Sequence, residues 1–344
     1  MNDQSLLTRI TRDISDGLLV LDSSGSIVFA NPASEKLLGM DGLTGGLTYA
    51  EFMLQNPAPE NDAFHQFVLD AIYDKESTHS GEQSFLRPDS KTRVFNITSS
   101  FLFDEEKGSE EGVVLQFQDV TRVTRLRQKI RDSARVFIVM LTGLCLWTFL
   151  YTIWQLLGRP VSDTVMTKAI EVMGLLIFFY ILKKTSISFQ DMGLSFQGAG
   201  RAVLIDSAAT ALILGGMILA KLIIRRANPA AFGGPDAPFF FWNSFNWADG
   251  IYPLTVVVQE FLTRGVMHES VRRIIPGKHA ELIAILVSSL FFGALHIHKG
   301  LAYMIGSVLL LSVFGFIYKK QRTIWGLCIP HYFLGMALKF IFGF

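Results

Sequence analysis

The sequence has few cysteines and no excess of charge of either sign. Its 344 residues include two cysteines, Cys145 and Cys328, and both lie in apolar stretches. This pattern leaves no disulfide framework and no cysteine metal site. Lys and Arg number 31 against 30 Asp and Glu, so nothing in the net charge indicates a nucleic-acid partner.

A long apolar core is missing from the N-terminus, MNDQSLLTRITRD. A secretory signal peptide needs such a core, so we expect the soluble part of the chain to stay in the cytoplasm. Residues 1–135 are charged and mixed in composition, whereas residues 136–344 contain apolar runs of about 17–22 residues, long enough to cross a bilayer. The composition therefore predicts a soluble part followed by a membrane part.

The soluble part alternates strand and turn signals. The segment DGLLVLDSSGSIVFANPASEKLLG predicts strands at Leu18–Leu21 and Ser26–Phe29, then a helix that begins at Asn31-Pro32. A helix is predicted near Asp62–Tyr73, and two further strands in TRVFNITSSFLF and GVVLQFQDV. This order of elements resembles a PAS domain over about residues 8–121. The resemblance implies an α+β fold, with an antiparallel sheet and flanking helices, and we assign residues 1–121 to a PAS sensor domain.

The ligand of this PAS-like domain is unknown from the sequence. The domain contains no cysteine, which excludes flavin photochemistry of the cysteine-adduct kind. His65, in NDAFHQFVLDAI, is a candidate haem ligand, but we favour a helix histidine on a polar or half-buried face. A ligand-free or small-metabolite domain is the default expectation.

A charged helix is predicted to connect the two parts, at residues 122–135. Val123, Leu126 and Ile130 are spaced three and four residues apart, which forms a short heptad seam. It predicts either a solvated helix or a signalling helix that pairs two PAS domains in a homodimer. Its six Lys and Arg residues precede the first apolar run and favour a cytoplasmic position.

The membrane part, residues 136–344, is predicted to be an all-α polytopic bundle of about seven transmembrane helices in the inner (cytoplasmic) membrane. The predicted spans are 136–157, 165–182, 203–224, 250–270, 281–298, 301–318 and 323–343. The loops assigned to the cytoplasm are rich in Lys and Arg, as expected. The outer loop 225–249 is rich in Phe and Trp and is expected to lie along the membrane interface.

Ionisable residues recur in the last four predicted spans. The stretch VVVQEFLTRG carries Gln259, Glu260 and Arg264, and the last two share one helix face. His296 and His331 lie in two later spans. Such groups are costly at bilayer depth and usually have a function. They predict either separate packing contacts or, as we favour, one shared polar pocket.

Three stretches, QEFLTRG, FFGALH and IPHYFLG, resemble the motifs of the CPBP family of intramembrane proteases. The resemblance covers about residues 200–343, and the family includes CAAX prenyl endopeptidases and bacteriocin-processing proteins. It implies a membrane endopeptidase in which a glutamate and a histidine activate water. The matching positions are Glu260, Arg264, Phe292, His296 and His331.

Two positions depart from the family's motifs. Gln259 stands where the family has its first glutamate, and an amide cannot accept a proton from water at working pH. Gly335 stands at the position of an asparagine that stabilises the oxyanion, so a backbone group or water would have to replace it. Both departures affect residues that the resemblance implies are catalytic.

A metal offers another route to catalysis. His296, His331 and Glu260 could form a histidine-rich zinc site with an open position for water. The resulting hypotheses are a PAS-regulated endopeptidase acting on a membrane-associated protein or peptide, a lapsed protease that binds a partner under PAS control, and a PAS-regulated receptor for a small ligand.

Overall fold

The computed structural model describes residue 11 and residues 13–43, 46–74, 78–104 and 109–343. The chain forms two compact units that divide between Arg127 and Gln128. Each unit has its own buried apolar cluster. The division falls inside the predicted connecting helix.

An antiparallel five-stranded sheet, in the order β2-β1-β5-β4-β3, forms the first unit. Its strands are β1 (Gly17–Asp22), β2 (Ile27–Ala30), β3 (Ser80–Leu86), β4 (Thr92–Asp104) and β5 (Ser109–Asp119), and its helices are α1 (Pro32–Leu38), α2 (Tyr49–Gln55) and α3 (Asp62–Tyr73). The α+β prediction is confirmed, with α3 at the predicted bounds. Sequence analysis missed β3 and α2, because their alternating or short apolar patterns carry little signal.

Asn31 fixes the start of α1. Its Oδ1 atom accepts hydrogen bonds from the backbone N–H groups of Ser34 and Leu18, both at 2.9 Å. Its amide donates to the backbone carbonyl of Asp16, also at 2.9 Å. Asn31 is therefore a helix cap that also ties α1 to the first strand, which explains the predicted helix start.

His65 is packed in the core of the first unit. Its Nδ1 atom lies 3.0 Å from the hydroxyl of Tyr49, and its Nε2 atom lies 3.2 Å from the backbone carbonyl of Asn56. The rings of Phe52 and Phe85 pack edge-on against it. Neither ring nitrogen is free to bind iron, so the geometry favours the packed histidine over the haem ligand.

The second unit is helical. It contains the part of α4 (Thr121–Leu156) from Gln128 on, α5 (Asp163–Lys184), α6 (Ala199–Ala227), α7 (Trp247–Glu260), a π-helix (Phe261–His268), α8 (Glu269–Ile274), α9 (Ala280–Leu295), α10 (Leu301–Gln321) and α11 (Cys328–Phe342). Every predicted span overlaps one helical segment. Among the described residues, α4, α5, α6 and α10 are long and apolar enough to cross a membrane, while α9 and α11 are shorter. The count of seven spans therefore stays a prediction.

A charged network closes one end of the helical unit. The buried Glu269 carboxylate accepts hydrogen bonds from Arg272 at 2.6 Å and from Arg322 at 2.9 Å. Arg322 also reaches Glu281 at 2.7 Å, and Glu281 lies 3.0 Å from His268. We call these five residues the charged end.

Lys221 and Arg225, near the end of α6, organise the aromatic loop that follows. The fully buried Lys221 ammonium donates to the backbone carbonyls of Phe239 and Ile341. Arg225 donates to three loop carbonyls, including that of Ala237 at 2.8 Å. Arg225, at the start of the predicted outer loop 225–249, therefore holds the backbone of that loop.

The burial of His65 predicts a pH-dependent stability of the first unit. Burial lowers the pKa of His65, so the unfolded chain binds a proton more readily than the folded one. The stabilisation is complete above the unfolded pKa of about 6.5 and is lost as the pH falls below it. Urea unfolding of the fragment ending at Arg127 is expected to show lower stability at about pH 5.5 than at about pH 7.5.

The His65→Gln variant should be less stable at neutral pH but show a smaller pH dependence. His79→Gln is the matched control, because His79 lies 3.3 Å from Asp74 near the domain surface and its loss should leave the pH dependence in place. Equal pH dependence of wild type and His65→Gln would contradict the assignment.

Candidate active site

A cavity of about 1590 Å³ opens among α4, α5, α7, α9, α10 and α11. Its wall is mostly apolar with a few convergent polar side chains, which is typical of a ligand-binding site. Gln259 comes from α7, His296 follows α9, and His331 comes from α11. Because α9 runs from the charged end to His296, the cavity lies toward the opposite end of the bundle.

The helix that carries Glu260 widens into a π-helix directly after it. Such segments are rare and occur frequently at functional sites. In the middle of the π-helix, a Cβ atom on Gly265 would stand 2.1 Å from the carbonyl oxygen of Met192. Glycine at this position lets the connection between α5 and α6 pack directly against the π-helix.

Glu260 and His331 form a buried pair. The Glu260 side chain is fully buried, and its Oε1 atom lies 2.5 Å from Nδ1 of His331. An ionised carboxylate only accepts hydrogen bonds, so Nδ1 carries the proton and donates it. In the neutral ring, Nε2 of His331 is then the acceptor. His331 lines the cavity, so Glu260 acts on the cavity through it.

Arg264 supplies the positive charge beside this pair. It is fully buried, and its Nε atom lies 3.9 Å from Oε2 of Glu260. Its guanidinium also donates to the Ser288 hydroxyl at 3.1 Å and to the backbone carbonyl of Leu311. Arg264 therefore links the π-helix to α9 and α10 and places a positive charge on the same helix face as Glu260.

Gln259 faces the cavity with an unsatisfied polar atom. Its Oε1 atom is buried and has no hydrogen-bond partner among the described residues. Buried polar atoms are nearly always paired, so an unpaired amide oxygen at a cavity wall marks a position where a bound molecule would be held. Gln259 and Glu260 are thus divided in role: the amide contacts the cavity directly, and the carboxylate contacts His331.

His296 stands at the end of α9, on the cavity wall. Its Nδ1 atom donates to the backbone carbonyl of Phe292 at 2.9 Å, which leaves Nε2 as an acceptor. Its ring stacks on Tyr303 with centroids 5.7 Å apart. The ring of Phe292 packs against both imidazoles. Its centroid lies 4.5 Å from the ring centroid of His296 and 5.7 Å from that of His331.

The zinc set of His296, His331 and Glu260 is not assembled. Across the described part of the chain, no three His, Cys, Asp or Glu side chains are grouped to hold a metal ion. Glu260 contacts Nδ1 of His331, so its carboxylate supports this histidine and does not stand beside it as a third ligand. These residues do not fit a metal, and we derive no step through one.

Two family models match the chain. Residues 15–122 match a PAS domain. Residues 242–336 match the Type II CAAX prenyl endopeptidase Rce1-like family, and this range contains all five candidate site residues. The chain joins a PAS domain to an Rce1-like domain. Together with the four long apolar helices, the second match identifies an integral membrane protein.

Solved structures with local similarity are PAS proteins. The PAS domain of a Colwellia psychrerythraea protein is 16% identical with a TM-score of 0.29, covering 35% of this chain and 99% of that one. The PAS domain of an HTR-like protein from Haloarcula marismortui is 20% identical with a TM-score of 0.27, covering 34% and 91%. The PAS domain of Bordetella pertussis BvgS is 19% identical with a TM-score of 0.28, covering 38% and 96%. No curated protein matches the chain.

Sequence analysis missed two tyrosines in the cavity of the Rce1-like domain. Tyr303 stacks on His296, and Tyr252 lies with its ring centroid 6.4 Å from that of His331. Tyr252 precedes Gln259 by seven residues, which places both on one face of α7. That spacing was the available signal, but an aromatic residue in an apolar helix is not distinctive without knowledge of what it faces.

The burial of Arg264 predicts a large stability effect in the Rce1-like domain. Arg264→Met removes the positive charge and leaves Glu260 buried without it, which typically costs about 3–5 kcal/mol. Reversible unfolding of the detergent-solubilised protein should show this loss. The double variant Arg264→Met with Glu260→Gln should recover much of it, because no buried charge remains. Equal stability of wild type and Arg264→Met would contradict the pairing.

Proposed function

We propose that the protein is a PAS-regulated intramembrane endopeptidase that cleaves a membrane-associated protein or peptide. The observation that carries this proposal is the buried Glu260–His331 pair, with its histidine on the wall of a large apolar cavity. The match to an Rce1-like family supports proteolysis as the reaction class.

In the proposed mechanism, His331 is the general base. Its Nε2 atom takes a proton from water, and the hydroxide attacks the peptide carbonyl carbon. Glu260 holds the ring in the required tautomer and stabilises the imidazolium that forms, since its carboxylate contacts Nδ1. The same imidazolium then gives its proton to the leaving amine. Arg264 keeps Glu260 ionised throughout.

Gln259 and His296 hold the water and the peptide in this scheme. Gln259 has an unpaired amide oxygen that can accept a hydrogen bond from water, although it cannot deprotonate it. His296 has a free Nε2 acceptor on the same cavity wall. The proposal therefore moves the base from the position of Gln259, where the family has a glutamate, to the Glu260–His331 pair.

The cavity wall supports an apolar substrate. Apolar side chains from six helices make up most of the wall, and polar side chains, among them His296 and His331, line it as well. Such a surface suits a transmembrane or lipid-modified segment with its scissile bond beside these histidines. The name of the matching family refers to prenyl substrates, but the cavity alone is equally compatible with an unmodified apolar segment.

A lapsed protease that binds a partner is the second candidate. The family's first glutamate is Gln259 here, and its asparagine is Gly335. In this alternative the same cavity holds an apolar segment without cleaving it. The PAS domain would then control binding rather than hydrolysis.

We propose that the PAS domain lies in the cytoplasm, senses a signal there and pairs with a second copy through α4. Six Lys and Arg residues between 122 and 135 support the cytoplasmic side. Val123, Leu126 and Ile130 are exposed on α4, as a seam available for pairing would be.

Removal of the base should abolish cleavage. The full chain in detergent is tested with fluorogenic transmembrane and prenylated peptides. His331→Ala is expected to lower kcat by about 10²–10⁴-fold, because general base catalysis contributes that much. Glu260→Gln should also lower kcat, since the amide retains the shape but not the charge, and kcat is measured on the folded fraction because Arg264 then lacks its counter-charge.

Glu281→Gln is the matched control for Glu260→Gln. Glu281 also pairs with a histidine, His268 at 3.0 Å, but at the charged end away from the cavity. Its variant should keep wild-type kcat in any preparation that stays folded. No cleavage of either peptide by the wild type, with cleavage gained in Gln259→Glu, would instead support the lapsed protease.

Membrane topology provides a separate prediction. In a variant without Cys145 and Cys328, a single cysteine at Ser90→Cys should resist an impermeant maleimide in intact cells and react after lysis. Ser244→Cys, in the aromatic loop, should react in intact cells; both serines are exposed. Labelling of Ser90→Cys in intact cells would contradict the cytoplasmic PAS domain.

A further inference from the structure

Gly335 lies one helical turn after His331 on α11. The space beside it, where a side chain would begin, contains the hydroxyl of Tyr252 from α7. A Cβ atom built on Gly335 would stand 2.8 Å from the hydroxyl oxygen of Tyr252. Real Cβ contacts are essentially never that short, so the Tyr252 hydroxyl occupies the volume where any side chain at 335 would begin. The expectation that only backbone or water could act there is therefore incomplete.

The Tyr252 hydroxyl is available for a ligand. It lines the cavity and has no hydrogen-bond partner among the described residues. Its ring packs against two other rings: the ring centroids are 6.4 Å apart for His331 and 5.8 Å apart for Tyr332. A phenol with an ordinary pKa of about 10 is protonated at neutral pH and can donate a hydrogen bond.

We propose that Tyr252 is a further catalytic residue, whose hydroxyl donates a hydrogen bond to the oxyanion of the tetrahedral intermediate. This inference rests on the proposed endopeptidase function. The phenol reaches the cavity beside His331, where the attacked carbonyl must lie for the base to deliver hydroxide. Glycine at 335 leaves that hydroxyl in place, because a Cβ atom there would displace it.

Tyr252 can stand in for a side chain at 335 because α7 and α11 both line the cavity. Tyr252 and Gln259 lie two turns apart on one face of α7, and His331 and Gly335 lie one turn apart on one face of α11. The two faces meet at the cavity, since all four residues line it. A donor from α7 can therefore replace a donor from α11 without moving either helix.

The first test is Tyr252→Phe in the full-length protein in detergent, with the peptide that the wild type cleaves. Loss of one oxyanion donor typically lowers kcat by about 10²–10³-fold. We expect that fall with KM changed less than about twofold, because the ring and its apolar contacts remain. Tyr332→Phe is the matched control: Tyr332 neighbours Tyr252 but does not line the cavity, and its variant should retain wild-type kcat.

The second test uses the contact with Gly335. Gly335→Ala should lower kcat because its Cβ atom displaces the hydroxyl. In the Tyr252→Phe background the same change should have little further effect, since the nearest ring carbons stand 3.4 and 3.5 Å from that Cβ position. The two effects are thus expected to be non-additive. A merely structural hydroxyl would produce a change in unfolding midpoint without this coupling in kcat.

The outcomes separate the two claims. Cleavage by the wild type with an unchanged kcat in Tyr252→Phe overturns the role of Tyr252 and leaves the endopeptidase in place. Additive effects of Tyr252→Phe and Gly335→Ala overturn the explanation of the glycine. A wild type that cleaves no peptide overturns the proposed function and, with it, this inference.

Discussion

A buried carboxylate is the constraint on which the helical unit depends. Glu260 has no exposed surface, and an isolated charge in such surroundings would cost several kcal/mol. Two partners on different sides compensate it: Arg264 from one turn along the same helix, and His331 from α11 at 2.5 Å. Three features accompany this pairing. They are the π-helix after Glu260, the close packing of the Met192 backbone on Gly265, and the hydrogen bonds from Arg264 to α9 and α10.

This constraint also explains the division of labour at the cavity. Because Glu260 is turned toward His331, the wall position next to it is left to Gln259, whose amide is neutral and can hold a molecule but not take a proton. In the proposed endopeptidase, the proton transfer then falls to the imidazole that Glu260 contacts. Tyr252 follows the same logic, since a hydroxyl from α7 fills the space that Gly335 leaves on α11.

Much of the fold could be predicted from the sequence, because local signals carry it. Asn31-Pro32 predicted the start of α1, and the helical spacing of apolar residues predicted α3. In the second unit, each hydropathy-based span overlaps helix in the structure. The strand β3 alternates mostly polar residues, so it carried no comparable signal. The residues of the site could be named from motifs, but their pairing could not: sequence spacing does not show that Glu260 faces α11, or that Tyr252, eight positions earlier, contacts the position of Gly335. For the same reason, the sequence could not show whether Glu260 joins the histidines as a ligand or supports one of them, since its contact with His331 depends on the packing of α7 against α11.

The protonation of His331 tests the central claim most directly. Nitrogen-15 NMR of the histidine-labelled protein in detergent, with the signals assigned by His331→Gln, distinguishes the two ring nitrogens. The account predicts a neutral ring at neutral pH with the proton on Nδ1 and an unprotonated Nε2, and a loss of this tautomer preference in Glu260→Gln. A proton on Nε2, or signals that do not change when Glu260 is replaced, would contradict it.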